Sequence, residues 1–99
     1  MLSRHIDLEA RTTEVWEGGP TKVVQEPVFI PRSADAAEGD GWIAQAATDA
    51  ETLLTELNLF EATDIAKGPI ATVKTPIHMK PAYHGNWFDG SLIRPSGLV

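Results

Sequence analysis

The sequence predicts an all-β chain built from short antiparallel strands. Eight glycines and seven prolines are spread through the 99 residues, and this spacing favours short strands. Segments between these breaks are rich in β-branched residues or alternate in polarity, and residues 70–74 do both. Two such segments near the start are separated by only a short turn, which predicts a hairpin and hence antiparallel pairing.

The predicted elements can be justified in chain order. Residues 5–9 and 12–16 read as the two strands of the hairpin, with a turn around residues 10–11. Residues 22–30 follow as a strand rich in valine and isoleucine. Because Pro27 has no N–H to donate to a ladder, this strand suits a sheet edge or a bulge better than a central position.

Residues 43–60 fit two different structures. Apolar side chains recur there at intervals of three and four residues, which predicts an amphipathic helix. The same stretch also fits two strands at residues 42–46 and 53–59, joined by a turn at residues 48–51. Spacing alone leaves the helix and the hairpin both open.

The composition limits the classes of function. Ninety-nine residues suffice for one modest core. Fourteen acidic against eight basic residues give a net charge of -6, which argues against nucleic acid as a partner. Cysteine is absent, so a metal would need histidine or carboxylate ligands. We expect a cytoplasmic chain, since no apolar stretch approaches the roughly twenty residues of a membrane span and the start is unlike a secretory signal.

Four short motifs occur in a fixed order along the chain. They are EPVFIPR at residues 26–32, EGDGW at 38–42, GPIATVKTP at 68–76 and HGNW at 84–87. In this order they resemble the C-terminal segment of the carotenoid cleavage oxygenases, and the HGNW ending is most similar to their lignostilbene dioxygenase branch. The resemblance runs from Ile6 to Trp87, and the combination is more specific than any single motif.

The resemblance implies that residues 1–99 are an incomplete domain, the terminal one to two blades of a seven-bladed β-propeller with antiparallel strands. Members of the family hold a non-haem iron(II) through four histidines from different blades. By motif position, His84 is implied to be one of these metal ligands. Glu26 is implied to accept a hydrogen bond from the outer ring nitrogen of a ligand histidine, which the sequence does not identify.

The chain contains only three histidines, so four ligands cannot come from this segment. The resemblance therefore implies that the remaining iron ligands belong to missing N-terminal propeller blades, and we expect this chain alone to be inactive. The implied activity of the full-length protein is cleavage of a C=C bond with O2, giving two carbonyl products. Its implied partners are O2 and a small apolar or aromatic alkene of the carotenoid, apocarotenoid or stilbene type. Isomerisation is a further activity known within the broad family.

A function of another class stays open beside the dioxygenase. A small, self-contained, metal-free β-rich module could bind a protein partner through a sheet face or edge. Coding sequence that continues upstream in frame, with more propeller-like strands and isolated histidines, would favour the oxygenase. A stop codon just upstream and a soluble folded monomer would favour the module.

The other chemically distinctive residues have structural interpretations. His5 and His78 gain no ligand role from the resemblance, and His78 is expected to face solvent. Glu38 and Asp40 are expected in a solvated turn, and Tyr83 places a hydroxyl near the metal region where the family commonly has Phe or Leu. Large aromatic side chains are expected to pack in the core, namely Phe29, Trp42, Trp87 and Phe88.

Overall fold

The structure is a computed structural model that describes residues 2–92. Within this range it contains strands and two short 3-10 helices but no α-helix, and all strand pairs are antiparallel, as predicted. No helix in the described range is long and apolar enough to cross a membrane. The strands are β1 (Leu2–Asp7), β2 (Thr12–Glu17), β3 (Lys22–Val24), β4 (Val28–Pro31), β5 (Gly41–Asp49), β6 (Thr55–Glu61) and β7 (Ala71–Lys74). The 3-10 helices are Ile65–Lys67 and Gly90–Leu92.

The first two strands form the predicted hairpin as a separate two-stranded sheet. The first strand ends at Asp7 rather than at residue 9. The reason is that the Asp7 carboxylate accepts the backbone N–H groups of Glu9 and Ala10, at 3.0 and 2.9 Å, and so turns the chain. The strand therefore lies earlier along the chain than its alternating pattern indicates.

The other five strands form a second sheet in the order β3, β5, β6, β7, with β4 also paired to β5. The strands β3 and β4 pair with successive parts of β5, so residues 25–27 interrupt one continuous edge. Within the interruption, one backbone hydrogen bond to β5 remains, from the Gln25 N–H to the Ala46 carbonyl at 2.9 Å. The predicted edge strand with a break at Pro27 is confirmed.

Residues 41–61 form a hairpin, so the helical alternative is wrong. The strands β5 and β6 pair along most of their length. The turn lies at residues 50–54, slightly later than predicted, because the Asp49 carboxylate accepts the N–H groups of Glu51 and Thr52 at 2.8 and 3.3 Å. Both strands also have a second neighbour in the sheet. These long-range pairings outweigh the local preference for a helix.

The two faces of the five-stranded sheet are covered differently. The hairpin of β1 and β2 packs on the face that bears Gln45 and Phe60, which we call the hairpin face. There the Trp16 ring meets Phe60 edge-on, with ring centroids 4.9 Å apart. Alternation along the paired strands puts another set of apolar side chains on the opposite face, which we call the open face. The open face carries Val23, Val28, Ile30, Ala44, Ala46, Leu57, Leu59 and Val73.

Three of the four aromatic side chains expected in the core are exposed instead. Trp87 and Phe88 are 50% and 62% exposed. Phe29 is 39% exposed and lines a cavity of about 740 Å³ between the hairpin and the sheet. Trp42 is half-buried beneath the guanidinium of Arg32, which lies 4.5 Å from its ring centroid. Phe29 is on the hairpin face but beside this cavity, and Trp42 is on the open face, so neither ring is fully covered by another side chain.

The predicted solvated turn at residues 38–40 is exposed, as expected, but it is also tied to the sheet. The Arg32 guanidinium donates to the Asp40 carboxylate at 2.8 Å and to the Glu61 carboxylate. The hydrogen bond to Asp40, together with the charges of both carboxylates, raises the pKa of Arg32 above its ordinary value. This network joins the loop before β5 to the end of β6.

Candidate functional site

The structure brings the two predicted site residues together. Glu26 lies in the interruption between β3 and β4, and His84 lies in the irregular segment after β7. The Nδ1 atom of His84 is 2.9 Å from Oε2 of Glu26, although 58 residues separate them in the chain. The histidine partner of Glu26, which the sequence left unidentified, is therefore His84.

This contact determines the roles of the two ring nitrogens of His84. A carboxylate oxygen accepts a hydrogen bond, so in the neutral ring the proton belongs on Nδ1 and the Nε2 lone pair stays available. The His84 side chain is 85% exposed, so that lone pair is accessible. Metal-binding histidines are oriented in the same way, with the ring nitrogen that does not bind metal donating to a carboxylate. The pair thus fits one ligand of a metal site.

His84 belongs to a segment, residues 75–87, that is exposed from residue 76 onwards and that we call the strap. The strap leaves the sheet after β7 and reaches the β3–β4 junction near the other edge. Backbone bonds to Thr55 hold its beginning, with Thr75 N–H donating to the Thr55 carbonyl at 3.1 Å. Near its end, the Ala82 N–H donates to Oε1 of Gln25 at 3.2 Å. These contacts bring His84 beside Glu26.

Gly85 follows His84 at a place where the chain approaches β4 closely. A Cβ atom on Gly85 would lie 3.1 Å from Cγ2 of Val28, closer than most Cβ contacts in proteins. The glycine of the HGNW motif therefore lets the strap lie close against the sheet beside the histidine.

The other two histidines have different partners. Nδ1 of His78 lies 2.9 Å from the Leu53 carbonyl, and its side chain is exposed as predicted. Nδ1 of His5 lies 3.5 Å from a carboxylate oxygen of Glu14 on the neighbouring strand. In the described part of the chain, no three histidine or acidic side chains are placed to hold a metal ion together. Residues 2–92 therefore do not form a metal-binding cluster by themselves.

Two polar residues that support the site were missed by the sequence reasoning. Gln45 is 4% exposed, and its Nε2 donates to the Gln25 carbonyl at 2.7 Å while its Oε1 accepts the Ser3 hydroxyl at 2.7 Å. Thr55 is 2% exposed and contacts the strap. The only sequence signal for Gln45 is a lone polar residue among alanines in a predicted strand. Such a residue must find hydrogen-bond partners when it is buried.

Comparison with known proteins assigns the family. A family model described as retinal pigment epithelial membrane protein matches residues 3–89, which is most of the chain. The chain belongs to this family of carotenoid oxygenases. Both site residues and all four motifs lie within the matched range.

The similar carotenoid oxygenases are much longer than this chain. Lignostilbene-alpha,beta-dioxygenase isozyme III of Sphingomonas paucimobilis is 39% identical over 87 residues, which are 88% of this chain and 18% of that protein. The crystal structure of Pseudomonas brassicacearum lignostilbene dioxygenase has a TM-score of 0.84 at 37% identity, over 90% of this chain and 18% of the other. A mutant of the Synechocystis apocarotenoid oxygenase gives 0.81 at 33% identity, over 88% and 18%. The chain thus spans less than a fifth of these relatives and has the fold of part of a carotenoid oxygenase propeller.

Proposed function

We propose that this chain forms part of a larger iron(II)-dependent dioxygenase that cleaves a C=C bond of a stilbene-type or carotenoid-derived substrate. The observation that supports this most directly is the contact of His84 with Glu26, which leaves one ring nitrogen open. The relatives named above are lignostilbene and apocarotenoid oxygenases, which supports the substrate class.

His84 would bind iron through Nε2, and Glu26 would hold the proton on Nδ1. A neutral imidazole suits Fe(II), and the carboxylate makes the ring a stronger donor by accepting its other N–H. The bound metal would supply the oxygen chemistry that converts one alkene and O2 into two carbonyl products. Three further histidines would come from propeller blades outside this chain. This chain would therefore supply one of the four iron ligands, His84, and the carboxylate that orients it, Glu26.

The residues beside His84 support an apolar or aromatic substrate. Tyr83 and Trp87 lie in the strap on either side of the histidine and are 90% and 50% exposed. Exposed aromatic rings next to a metal ligand could stack against the aryl groups of a stilbene or pack along a polyene. Tyr83 also has a hydroxyl that could hydrogen-bond a phenolic substrate.

Replacement of His84 tests the ligand assignment. The experiment uses the full-length polypeptide that carries this sequence, called the intact protein below. His84→Ala should abolish iron retention and O2-dependent cleavage, because one of four ligands is lost. His5→Ala is the matched control and should retain both, since His5 lies in the β1–β2 hairpin and contacts Glu14 instead. Iron per polypeptide and carbonyl products are the measurements. Full iron content in the His84→Ala protein would overturn the ligand assignment.

Replacement of Glu26 tests the role of the carboxylate. Glu26→Gln should weaken iron binding by about ten- to a hundredfold, as is usual when the partner of a ligand histidine is altered. Glu38→Gln removes a negative charge that lines the same cavity as Glu26, and it should leave iron affinity within about twofold, because Glu38 is exposed and is not the carboxylate that pairs with His84. Equal affinities in the two variants would contradict the proposed role.

An intact protein that binds no iron and is a small folded monomer would favour the protein-binding module instead.

A further inference from the structure

The position of His84 depends on a segment with little packing of its own. Residues 76–88 are exposed throughout. The strap begins beside β6, yet His84 must reach the interruption between β3 and β4, on the other side of β5. An exposed segment without regular structure opens easily, so a few hydrogen bonds to buried groups must decide where it lies.

Thr55, the first residue of β6, makes a concentrated set of these bonds. Its carbonyl accepts the Thr75 N–H at 3.1 Å and the Thr75 hydroxyl at 2.5 Å. Its N–H donates to the Ile77 carbonyl at 3.0 Å, and its hydroxyl accepts the Met79 N–H at 2.9 Å. The side chain of this residue is fully buried, and its hydroxyl also pairs with that of Thr48 at 3.0 Å. One buried residue thus holds three alternate positions of the strap, residues 75, 77 and 79.

Gln25 makes the second attachment, which binds the strap at Ala82, two residues before His84. Its side-chain oxygen accepts the Ala82 N–H at 3.2 Å. Its own backbone is held by Gln45, which donates to the Gln25 carbonyl at 2.7 Å from a buried position in β5. Because Glu26 follows Gln25 directly, this attachment fixes both partners of the histidine contact relative to each other.

We infer that Thr55 and Gln25 are positioning residues that hold the strap so that Nδ1 of His84 meets Glu26. The inference rests on the proposed function for its consequence, which is retention of iron. Neither residue touches a metal or a substrate. Each acts through hydrogen bonds to strap residues that precede His84.

The test compares three threonine variants of the intact protein. Thr55→Val keeps the shape of the side chain but removes the hydroxyl that accepts the Met79 N–H, whereas Thr55→Ser keeps that hydroxyl. Thr48→Val is the matched control, because it removes the other member of the same buried hydroxyl pair but not the hydroxyl that accepts the Met79 N–H. A general loss of stability would therefore affect both valine variants, and a loss of positioning would affect Thr55→Val alone.

The first measurement is the ring 15N spectrum of His84 in the iron-free protein, labelled at histidine and recorded at about pH 8, where an ordinary imidazole is neutral. We expect wild type, Thr55→Ser and Thr48→Val to show one ring form with the proton on Nδ1. Thr55→Val should show averaging between the two ring forms. An unchanged spectrum in Thr55→Val, or the same change in Thr48→Val, would overturn the inference.

The second measurement is the rate of iron loss to a chelator. Thr55→Val should lose iron at least tenfold faster than wild type, and Thr55→Ser within about twofold of it. If Thr55→Val does not fold, Gln25→Met replaces it, since that change removes only the acceptor for the Ala82 N–H. If the wild-type protein binds no iron, the proposed function fails, but the spectrum of His84 still decides whether Thr55 and Gln25 position the ring.

Discussion

At the scale of single residues, the His84 imidazole has two nitrogens, and the contact at one determines the chemistry open to the other. Its contact with Glu26 is exposed to water in this chain, with side chains 85% and 45% accessible. Exposed pairs of this kind are weak because water competes for both partners. The pair therefore needs a surrounding surface that excludes water before it can hold the ring firmly.

Gly85 provides a test of how closely the strap must approach the sheet. Gly85→Ala should lower iron retention several-fold, because the new Cβ would lie 3.1 Å from Cγ2 of Val28 and push His84 away from Glu26. Gly90→Ala is the matched control, since a Cβ there meets no atom within 4 Å. The rate of iron loss in the intact protein is the measurement. Equal rates in the two variants would show that the close approach does not position His84.

Asp49 gives the hairpin turn a dependence on pH. The N–H of Glu51 is the main cause that holds the pKa of Asp49 below its ordinary value, and the Thr52 N–H and Lys22 act in the same direction. Because the folded pKa is lower than the unfolded one, the carboxylate stabilises the fold above about pH 4. This stabilisation is lost as pH falls through the lower, folded pKa.

A titration of Asp49 followed by 13C NMR should therefore have its midpoint below that of an ordinary aspartate. Lys22→Met should leave most of this lowering in place, because the backbone N–H of Glu51 is its main cause. Asp49→Ala should open the turn at neutral pH, because it removes the acceptor for the N–H groups of Glu51 and Thr52; the opening would be seen as faster amide exchange at residues 50–54. An ordinary midpoint for wild-type Asp49 would contradict this account.

At the scale of elements, the turn between β5 and β6 contains a strained residue. Leu53 has a φ of 61°, in the left-handed region that side chains with a Cβ rarely adopt. Its N–H donates to the Asp49 carbonyl at 2.7 Å, and its own carbonyl lies 2.9 Å from Nδ1 of His78. The hydrogen bonds of the turn thus hold an unfavourable backbone conformation.

Leu53→Gly should relieve this strain by about 1 kcal/mol. Amide exchange in β5 and β6 of the intact protein should slow by about fivefold, since the side chain that is lost is already 56% exposed. Leu54→Gly, the matched control, should speed exchange instead, because Leu54 does not have a positive φ and glycine only adds freedom to the unfolded chain. Faster exchange in both variants would mean that Leu53 is not strained.

At the scale of the whole molecule, the described chain has little buried core. Its buried hydrophobic side chains are Ala47, Phe60, Ala62 and Ile65. The Cα radius of gyration is 15.0 Å, whereas a compact domain of this length has about 13 Å. On the open face, Leu57 and Val73 are 44% and 60% exposed. The sheet is thus shaped to be covered by a further layer, as a propeller blade is covered by its neighbour.

We expect the isolated 99-residue chain to self-associate and to bind an apolar dye, because the open face would lack that layer. The double substitution of Leu57 and Val73 by Lys should reduce self-association of the isolated chain and destabilise the intact protein. Leu8→Lys is the control, since Leu8 is 84% exposed in the β1–β2 turn and away from this face. Size-exclusion chromatography with light scattering measures the first effect. A monomeric wild-type chain that binds no dye would contradict the expectation.

Much of this protein was predictable from local features. Turn residues, β-branched segments and Pro27 predicted the strands and the broken edge, and the order of four motifs indicated the family and the residues Glu26 and His84. These features depend on each residue and its near neighbours along the chain, which sequence reasoning can read.

The tertiary structure decided the rest. Residues 43–60 form a hairpin and not a helix, and several aromatic side chains that were expected in the core are exposed. Glu26 and His84, 58 residues apart in the chain, are in contact. Each of these outcomes depends on which distant segments meet, and local spacing carries no information about that. No sequence motif marks Thr55 or Gln25. Their contacts with the strap form only because the folded sheet brings the strap next to them.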